Sequence, residues 1–332
     1  MIDPPDLLAG ASRLRQGVPC SFADDNPYVG SSHRVFKVVF EDSVQWAARH
    51  IKEQCPEIKA PNLYIEAGLR VIYSEWVAGN PLAIWNSKIP LVKRQSLLDD
   101  LAEFLLQLWT ITVPSALASE QEDPYSAWLT QSLDRGLRRT LTGTARWGDA
   151  TDYLIMRSMI PEYAAEFDKY IGVGFAHGDL NAFNVMINDD FNLTGVIDWD
   201  WMYVAPLPAV IHHPWFIADI PGWNNVGVAN AESFEEDRAY LENAVKKREI
   251  SRHLPLTVST LLRDSGKRLF FQSAFHVRGI HEMFVTMHCP RTEENIKAAR
   301  SQLDIVLRLY PELGDSDNVQ RFKDALGRQD EY

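Results

Sequence analysis

The sequence predicts an α+β protein with a small, β-rich N-terminal lobe, residues 1–77, and a large, mainly helical C-terminal lobe, residues 78–332. Two observations favour this division. Short runs of β-branched and aromatic residues, separated by turn-forming residues, fill the first part, which is typical of hairpins. After Gly79-Asn80-Pro81 the apolar residues recur at helical intervals instead. With 46% hydrophobic residues, a chain of 332 residues can bury a sizeable core.

Two hairpins are predicted in the N-terminal lobe. Residues 28–51 and residues 62–77 each consist of two runs rich in β-branched and aromatic residues around a turn. The segment between them, residues 50–61, is interrupted by Pro56 and has room for about one or two helical turns.

The C-terminal lobe has its clearest helical pattern in residues 90–111, where leucine and phenylalanine recur every three or four residues. This helix is expected to be central to the lobe. Four more helical segments are predicted at residues 125–141, 151–169, 232–250 and 267–284. One or two surface helices are expected from there to about residue 327.

Charge and composition narrow the function. The chain carries 33 basic and 45 acidic side chains, and a net charge of −12 repels the phosphate backbone of nucleic acids. No apolar run approaches the roughly 20 residues that a membrane helix needs. Three widely spaced cysteines indicate neither a disulfide framework nor a zinc motif. A soluble, cytoplasmic protein without nucleic-acid or membrane partners is therefore expected.

Polar residues cluster among apolar runs in the segment FAHGDLNAFNVMINDDFNLTGVIDWDW, residues 175–201. His177, Asp179 and Asn184 follow the order H-x-D-x₄-N, and Asp198 ends a strand-like run 14 residues later. These residue types suit phosphoryl transfer. One carboxylate accepts a hydroxyl proton, while an amide and a second carboxylate hold magnesium between nucleotide phosphates.

The spacing also has a geometric meaning. Residues 184–188 and 193–197 are predicted to form a hairpin, which brings Asn184 and Asp198 side by side so that both can reach one ion. His177 is interpreted as a support for the loop through hydrogen bonds. The alternative is that the acids and amides only cap turns and close a strand.

The motifs HGDLNAFN and GVIDWDW resemble the aminoglycoside phosphotransferase family, the small-molecule branch of the protein-kinase-like fold. The run IDWDWMYVAPLPAVIHHPWFIADIPGW is similar to fungal members. The resemblance extends from GSSHRVFKVVFEDSVQWAAR to about residue 285. It implies an ATP- and magnesium-dependent phosphotransferase acting on a hydroxyl, less often an amine, of a small molecule. Asp179 is then the catalytic base or the carboxylate that orients the acceptor, and Asn184 and Asp198 bind magnesium.

The resemblance also implies nucleotide contacts in the N-terminal lobe. They are the basic residue of the third strand, main-chain groups of the hinge, and a phosphate-covering loop. The matching positions are Arg49 for the basic residue, Glu75, Trp76 and Val77 for the hinge, and Gly30, Ser31 and Ser32 for the loop. Arginine in place of lysine is a departure from the family, because its planar fork differs from a point charge.

A second departure concerns the helix that in kinase-like folds supplies a glutamate to the basic residue. Residues 50–61 are too short for that helix, so it is expected to be shortened or missing, and either Glu53 or Glu57 substitutes for the glutamate or Arg49 has no such partner. An alternative function follows, namely a catalytically impaired protein that binds a nucleotide, a metabolite or a protein partner. A protein kinase is disfavoured, because Trp199 and Asp200 stand where Phe-Gly would follow the metal-binding aspartate.

The acceptor site is less readable. In the family it lies in the C-terminal lobe, where acidic side chains often attract cationic substrates, and a net charge of −12 is compatible with that. Asp200 is a further candidate for contact with the acceptor or the metal. Trp199 and Trp201 are interpreted as packing residues, with walls of the acceptor pocket as the alternative.

Overall fold

A computed structural model gives the architecture of the chain. It describes residues 4–14, 17–22, 28–29, 34–35, 38–40, 58–60, 63–65, 72–74, 76–114, 123–199, 201–221, 234–263 and 265–327.

The N-terminal part begins with a helix that the sequence did not predict. Helix α1 spans Pro4–Leu14, and strand β1 follows at Cys20–Phe22. Ala11 is fully buried, and Leu14, Val18, Cys20 and Val38 pack around it in a small cluster of their own. Pro4 and Pro5 are the first two residues of this helix, where a missing backbone N–H costs nothing.

The strands of this part are short and pair antiparallel. They are β2 at Tyr28–Val29, β3 at Arg34–Val35, β4 at Val38–Phe40, β5 at Leu63–Ile65 and β6 at Ile72–Ser74.

Pairing of β5 with β6 confirms the hairpin predicted in residues 62–77. The hairpin predicted in residues 28–51 stays a prediction: the strand expected before its turn ends in β4, which pairs with β1, while β2 pairs with β3. The turn predicted at residues 41–43 and the strand expected after it both lie within residues 41–57, which are outside the described part of the chain. The expected shortening of the helix in residues 50–61 therefore stays a prediction, and so does the division of the chain at residue 77.

Helix α2, Leu91–Thr110, is the central helix of the molecule and confirms the prediction for residues 90–111. It packs against β8, Val173–Ala176, and against the helix at Glu235–Ser251. Nine of its side chains are buried, and most of them repeat at spacings of three and four. They are Leu97, Leu98, Leu101, Ala102, Phe104, Leu105, Leu106, Leu108 and Trp109.

Helices dominate the rest of the chain. They are α3 at Tyr125–Leu141, α4 at Ala150–Ala164, α5 at Leu207–Val210, α6 at Glu235–Ser251, α7 at Thr257–Arg263, α8 at Ser265–Ser273, α9 at Arg278–His288, α10 at Glu293–Leu309 and α11 at Asp317–Gly327. Helix α4 lies between α3 and α10. None of the helices in the described residues is long and apolar enough to cross a membrane.

Most of the predicted helices are confirmed, with two corrections at their ends. The segment predicted at 151–169 is helical only to Ala164, and turns follow to residue 169. The segment predicted at 267–284 is two helices, because the chain leaves the helix after Ser273. There, the buried His281 donates from Nδ1 to the Ala274 carbonyl, 2.9 Å away, which a continuous helix would have paired with a backbone amide.

Two small sheets in the C-terminal part frame the candidate site. Strand β7, Asn80–Pro81, pairs with β9, Val185–Ile187, which in turn pairs with β10, Leu193–Val196. The predicted hairpin of residues 184–188 and 193–197 is thus confirmed, with an irregular register between Leu193 and Gly195. Strand β11, Tyr203–Pro206, pairs with β8.

The hairpin β9–β10 is tied to three other parts of the chain. The Val196 N–H donates to the Lys59 carbonyl at 2.7 Å, and the Leu193 N–H donates to Asp100 Oδ2 of α2 at 2.8 Å. Gly79, with φ of +106°, lies so close to the Ile187 carbonyl that any Cβ there would overlap it. The hairpin is therefore held by the segment of Lys59, by helix α2 and by the chain around Gly79.

The bond from Leu193 to Asp100 gives a testable prediction for stability. Asp100→Ala should lower the free energy of unfolding by about 1–2 kcal/mol, because the buried Leu193 N–H loses its acceptor. Asp100→Asn keeps an acceptor oxygen and should cost less than half of that. The ion pair of Asp100 with Lys59 is about one third exposed on each side and contributes little. Urea unfolding of both variants tests this, and equal losses would contradict it.

Candidate active site

The loop after β8 carries the first of the polar residues. Gly178 has φ of +80°, and its α-carbon faces the Trp201 carbonyl so closely that a Cβ would overlap it. Glycine is the residue that takes up this left-handed conformation without a steric cost. The chain can therefore turn sharply between the buried His177 and Asp179.

His177 joins the two halves of the polar segment. Its Nε2 lies 2.8 Å from the Ile197 carbonyl, and its Nδ1 lies 3.3 Å from the Asp179 backbone N–H. Since the amide must donate, Nδ1 is the acceptor and Nε2 carries the proton. The ring is 3% exposed and packs against Trp199, with 4.6 Å between ring centroids. Burial lowers the pKa of His177 below its usual 6.5 and outweighs the opposing effect of the bond to Ile197.

Asp179 is held by two amide side chains. Asn181 Nδ2 donates to Oδ1 at 2.9 Å, and Asn184 Nδ2 donates to Oδ2 at 3.2 Å and to the Asp179 carbonyl at 2.8 Å. Asn181 also caps the short 3₁₀ turn at Ala182–Asn184 by accepting from the Phe183 N–H. Its role was not predicted, although an asparagine just before a turn is a typical cap.

Asp198 reaches the same edge from the other strand. The Ile197 N–H donates to the Asn184 carbonyl at 2.9 Å, which continues the β9–β10 ladder by one residue. Asp198 then turns out of the ladder with φ of +62° and an exposed side chain. A non-glycine residue in this region is strained, although aspartate tolerates it better than most.

The atoms at this edge are suitable for a hard cation. Both described hydrogen bonds of the Asn184 side chain use Nδ2, so that Oδ1 remains for a ligand. Asp198 adds a carboxylate one residue beyond the backbone bond that joins the strands. Magnesium prefers oxygen ligands and usually takes only one or two from protein side chains, the rest being water and phosphate. The residues present therefore fit that ion.

Several predicted positions lie outside the described residues. They are Gly30, Ser31, Ser32, Arg49, Glu53, Glu57, Glu75 and Asp200.

Val77 of the predicted hinge is described. Its side chain packs over Gly195 of β10, where a Cβ would come within 2.8 Å of Val77 Cγ1. Trp199 is a packing residue as interpreted, edge-on to Phe104 of α2 with 6.1 Å between centroids. The same interpretation is wrong for Trp201, because this residue is 69% exposed. The atom of Trp201 that lies against Gly178 is its backbone carbonyl oxygen.

A cavity of about 570 Å³ opens beside the loop and shares Gly178 with it. Aromatic rings form much of its wall, and the arginines in it come from α3. No sequence pattern indicated this cavity, because its lining comes from six separate parts of the chain. The rings and arginines concerned are Trp128, Tyr203, Trp215, Tyr310, Arg135 and Arg138.

The buried His177 gives a prediction for pH. Because its pKa is lowered in the folded state, its contribution to stability is complete above about pH 6.5 and is lost as the pH falls below that value. We expect His177→Gln to be less stable than the wild type at pH 7.5, with a smaller difference at pH 5.5. Urea unfolding at both values measures it.

The control for this comparison is His253→Gln, which removes an exposed imidazole. It should leave the pH dependence of the wild type unchanged. A difference between wild type and His177→Gln that stays constant or grows on acidification would contradict the prediction.

Comparisons with known proteins come from sequence and from structure. The model of the phosphotransferase enzyme family matches residues 40–207, about half of the chain. No curated protein matches the sequence.

Solved structures agree in fold at low identity. A provisionally assigned aminoglycoside phosphotransferase from Ralstonia eutropha has a TM-score of 0.51 and 16% identity, with coverage of 97% of this chain and 99% of that one. The aminoglycoside phosphotransferase APH(2'')-Ib, solved with ADP, has a TM-score of 0.51 and 13% identity over 90% and 97% of the chains. APH(2'')-IIa, solved with gentamicin, has a TM-score of 0.52 and 13% identity over 96% and 99%.

These likenesses confirm the predicted kinase-like fold, whereas the fungal subclass stays a prediction. The segment that the family model matches contains the whole polar constellation, from His177 to Asp198. The chain belongs to the phosphotransferase enzyme family.

Proposed function

We propose that this protein transfers the γ-phosphoryl group of ATP to a hydroxyl, less often an amine, of a small molecule, with magnesium as cofactor. One observation carries the proposal: Asp179, Asn184 and Asp198 converge at one edge through backbone bonds and through the bonds from Asn184 to Asp179. Turn capping alone, the alternative for these residues, does not require that three such groups converge.

Asp179 is the proposed base. Each of its carboxylate oxygens accepts one described hydrogen bond, and each has room for another. The carboxylate can therefore keep its orientation while it binds the acceptor hydroxyl and takes up its proton as the oxygen attacks phosphorus. The bond from His177 to the Asp179 N–H fixes the backbone of this residue.

Asn184 and Asp198 are the proposed magnesium ligands, through Oδ1 and the carboxylate. Bound magnesium would neutralise charge on the nucleotide phosphates as the phosphoryl group is transferred. The strand pairing keeps the backbones of the two ligands in a constant relation, and Asp198, with its positive φ, leaves the ladder with an exposed side chain.

The nucleotide is proposed to bind at the hinge through main-chain groups of Glu75 and Val77, and at Arg49 and the loop of Gly30, Ser31 and Ser32. This part rests on the family and on the ADP found in APH(2'')-Ib. The packing of Val77 on β10 supports it, since a nucleotide at the hinge would then lie near the cation ligands at the ends of the same hairpin.

Asp179→Asn tests the base. In a screen of metabolites for magnesium-dependent ATP consumption, we expect the turnover rate of the variant to be about 10²–10⁴-fold lower than that of the wild type. Its melting temperature should stay close to that of the wild type, because the amide keeps an oxygen for Asn181.

Asp190→Asn is the matched control, since it removes an exposed carboxylate in the turn of the same hairpin. It should retain full activity. Unchanged turnover in Asp179→Asn would contradict the assignment. A wild type that binds ATP without turnover would favour the catalytically impaired protein instead.

Asp198→Asn tests the cation site by a thermal shift. ATP with magnesium should raise the melting temperature of the wild type more than ATP with EDTA, because a ligand that binds the folded state stabilises it. The excess due to magnesium should disappear in Asp198→Asn and persist in Asp190→Asn. An equal excess in both variants would exclude Asp198 as a ligand.

A further inference from the structure

The cavity beside the catalytic loop carries information about the acceptor. It adjoins Asp179 through Gly178, and its volume of about 570 Å³ is within the usual range for small-molecule sites. If the protein is the phosphotransferase proposed above, an acceptor in this cavity would have its hydroxyl next to the proposed base. The inference below rests on that function.

One face of helix α3 forms a wall of the cavity. Its lining residues fall at positions i, i+3, i+4, i+7 and i+10, so they share a single side of the helix. They are Trp128, Gln131, Ser132, Arg135 and Arg138. From the start of the helix towards its end, the side chains on this wall are therefore first aromatic, then an amide and a hydroxyl, and finally two guanidinium groups.

Arg138 is held in place without a carboxylate. Its guanidinium lies over the Tyr310 ring, 4.6 Å from the centroid, which leaves its N–H edge for other partners. The Nε atom is buried and has no hydrogen-bond partner in the described part of the chain. An atom without accessible surface cannot contact a ligand, so an anion in the cavity would bind the Nη atoms of Arg138 rather than its Nε.

Arg135, one turn before it, donates from Nη2 to Ser132 Oγ at 2.9 Å and makes no ion pair with a described residue. The nearby acid of α3, Asp134, is 1% exposed and already accepts from Arg157 at 2.9 Å. Asp134 therefore forms its ion pair with Arg157, and no described ion pair joins it to Arg135 or Arg138.

None of the described lining residues is acidic. The histidines do not change this balance. Burial lowers the pKa of His212 to about 4, and burial together with Arg135 lowers the pKa of His276 to about 4. Both are neutral at pH 7, so Arg135 and Arg138 supply the formal charge of the described lining.

The remaining walls favour a flat, apolar body. Trp128, Tyr203, Trp215 and Tyr310 present rings to the cavity, and Leu269 and Val277 add aliphatic surface. Aromatic rings contribute large contact areas and bind flat groups by stacking.

We propose that the acceptor is an anionic small molecule with a hydroxyl and a flat apolar body, whose carboxylate or phosphate is bound by Arg135 and Arg138. This is the opposite charge from the cationic acceptors that the family resemblance suggested. Guanidinium groups bind planar carboxylates and phosphates in a bidentate manner, which ammonium-type substrates cannot exploit.

Three commercial probes of matched shape test the sign of the charge. Phenyllactate is an anion, phenylpropanediol is neutral and phenylalaninol is a cation, while all three carry a phenyl ring and a hydroxyl. By calorimetry without nucleotide, we expect phenyllactate to bind at least about tenfold more tightly than phenylalaninol. Phenyl phosphate, added as a competitor, shows whether a phosphate occupies the site as well as a carboxylate does.

Variants connect the preference to the two arginines. Arg135→Gln/Arg138→Gln should weaken phenyllactate about tenfold or more and leave phenylpropanediol within about twofold. Arg135→Lys/Arg138→Lys should keep the order of the probes, because the charge remains. Arg139→Gln/Arg146→Gln is the control, since it changes the net charge equally at two exposed positions outside the cavity.

The outcomes separate this proposal from the function on which it rests. Equal or tighter binding of phenylalaninol, an unchanged order in the double glutamine variant, or no binding of phenyllactate would overturn the anionic acceptor. Because these measurements need no turnover, they also apply to Asp179→Asn. Full turnover in that variant would overturn the proposed base and leave the charge preference standing.

Discussion

The geometry of the candidate site depends on one imidazole with two different hydrogen bonds. His177 accepts from the Asp179 N–H and donates to the Ile197 carbonyl, so the backbone of the proposed base and the backbone of the residue before Asp198 are bonded to the same ring. Only the neutral ring, protonated at Nε2, can make both bonds, and burial against Trp199 favours that form. A hydroxyl has its donor and its acceptor on a single oxygen, so it could not separate the two backbone groups in this way. The histidine is thus a spacer of defined length as well as a hydrogen-bonding group.

The hairpin on the other side of this ring is fixed mainly through its backbone. Its amides donate to Lys59 and Asp100, and its outer edge pairs with the segment after Gly79. Backbone contacts of this kind depend little on the identity of the side chains around them. Family membership at an identity of 12–16% with solved relatives is physically reasonable on that basis, because the frame can persist while most side chains change.

Sequence patterns predicted what is local or strictly periodic. The leucine spacing of α2 and the two runs of the β9–β10 hairpin were sufficient, and the H-x-D-x₄-N order placed the polar residues correctly at strand ends. The break between α8 and α9 could not be predicted, since both halves keep the same period and the cause is a side-chain bond from His281. The pairing of β1 with β4 joins segments separated by 15 residues or more. Hairpin patterns could not predict it, because they detect only strands that are joined by a short turn. The cavity was missed for the same reason, because its walls meet only after folding.

The face of α3 that lines the cavity has a consequence for how such a protein diversifies. Within the described residues, no hydrogen bond to the Asp179 loop or to the proposed cation ligands comes from α3, and the opposite side of this helix is anchored in the core by Leu129, Leu133 and Leu137. Substitutions along the cavity side therefore leave the frame and the phosphoryl-transfer groups intact. On the proposed assignment of the cavity, acceptor choice would be encoded in a separate module, and changes at a few positions of a single helix would be enough to exchange one class of acceptor for another.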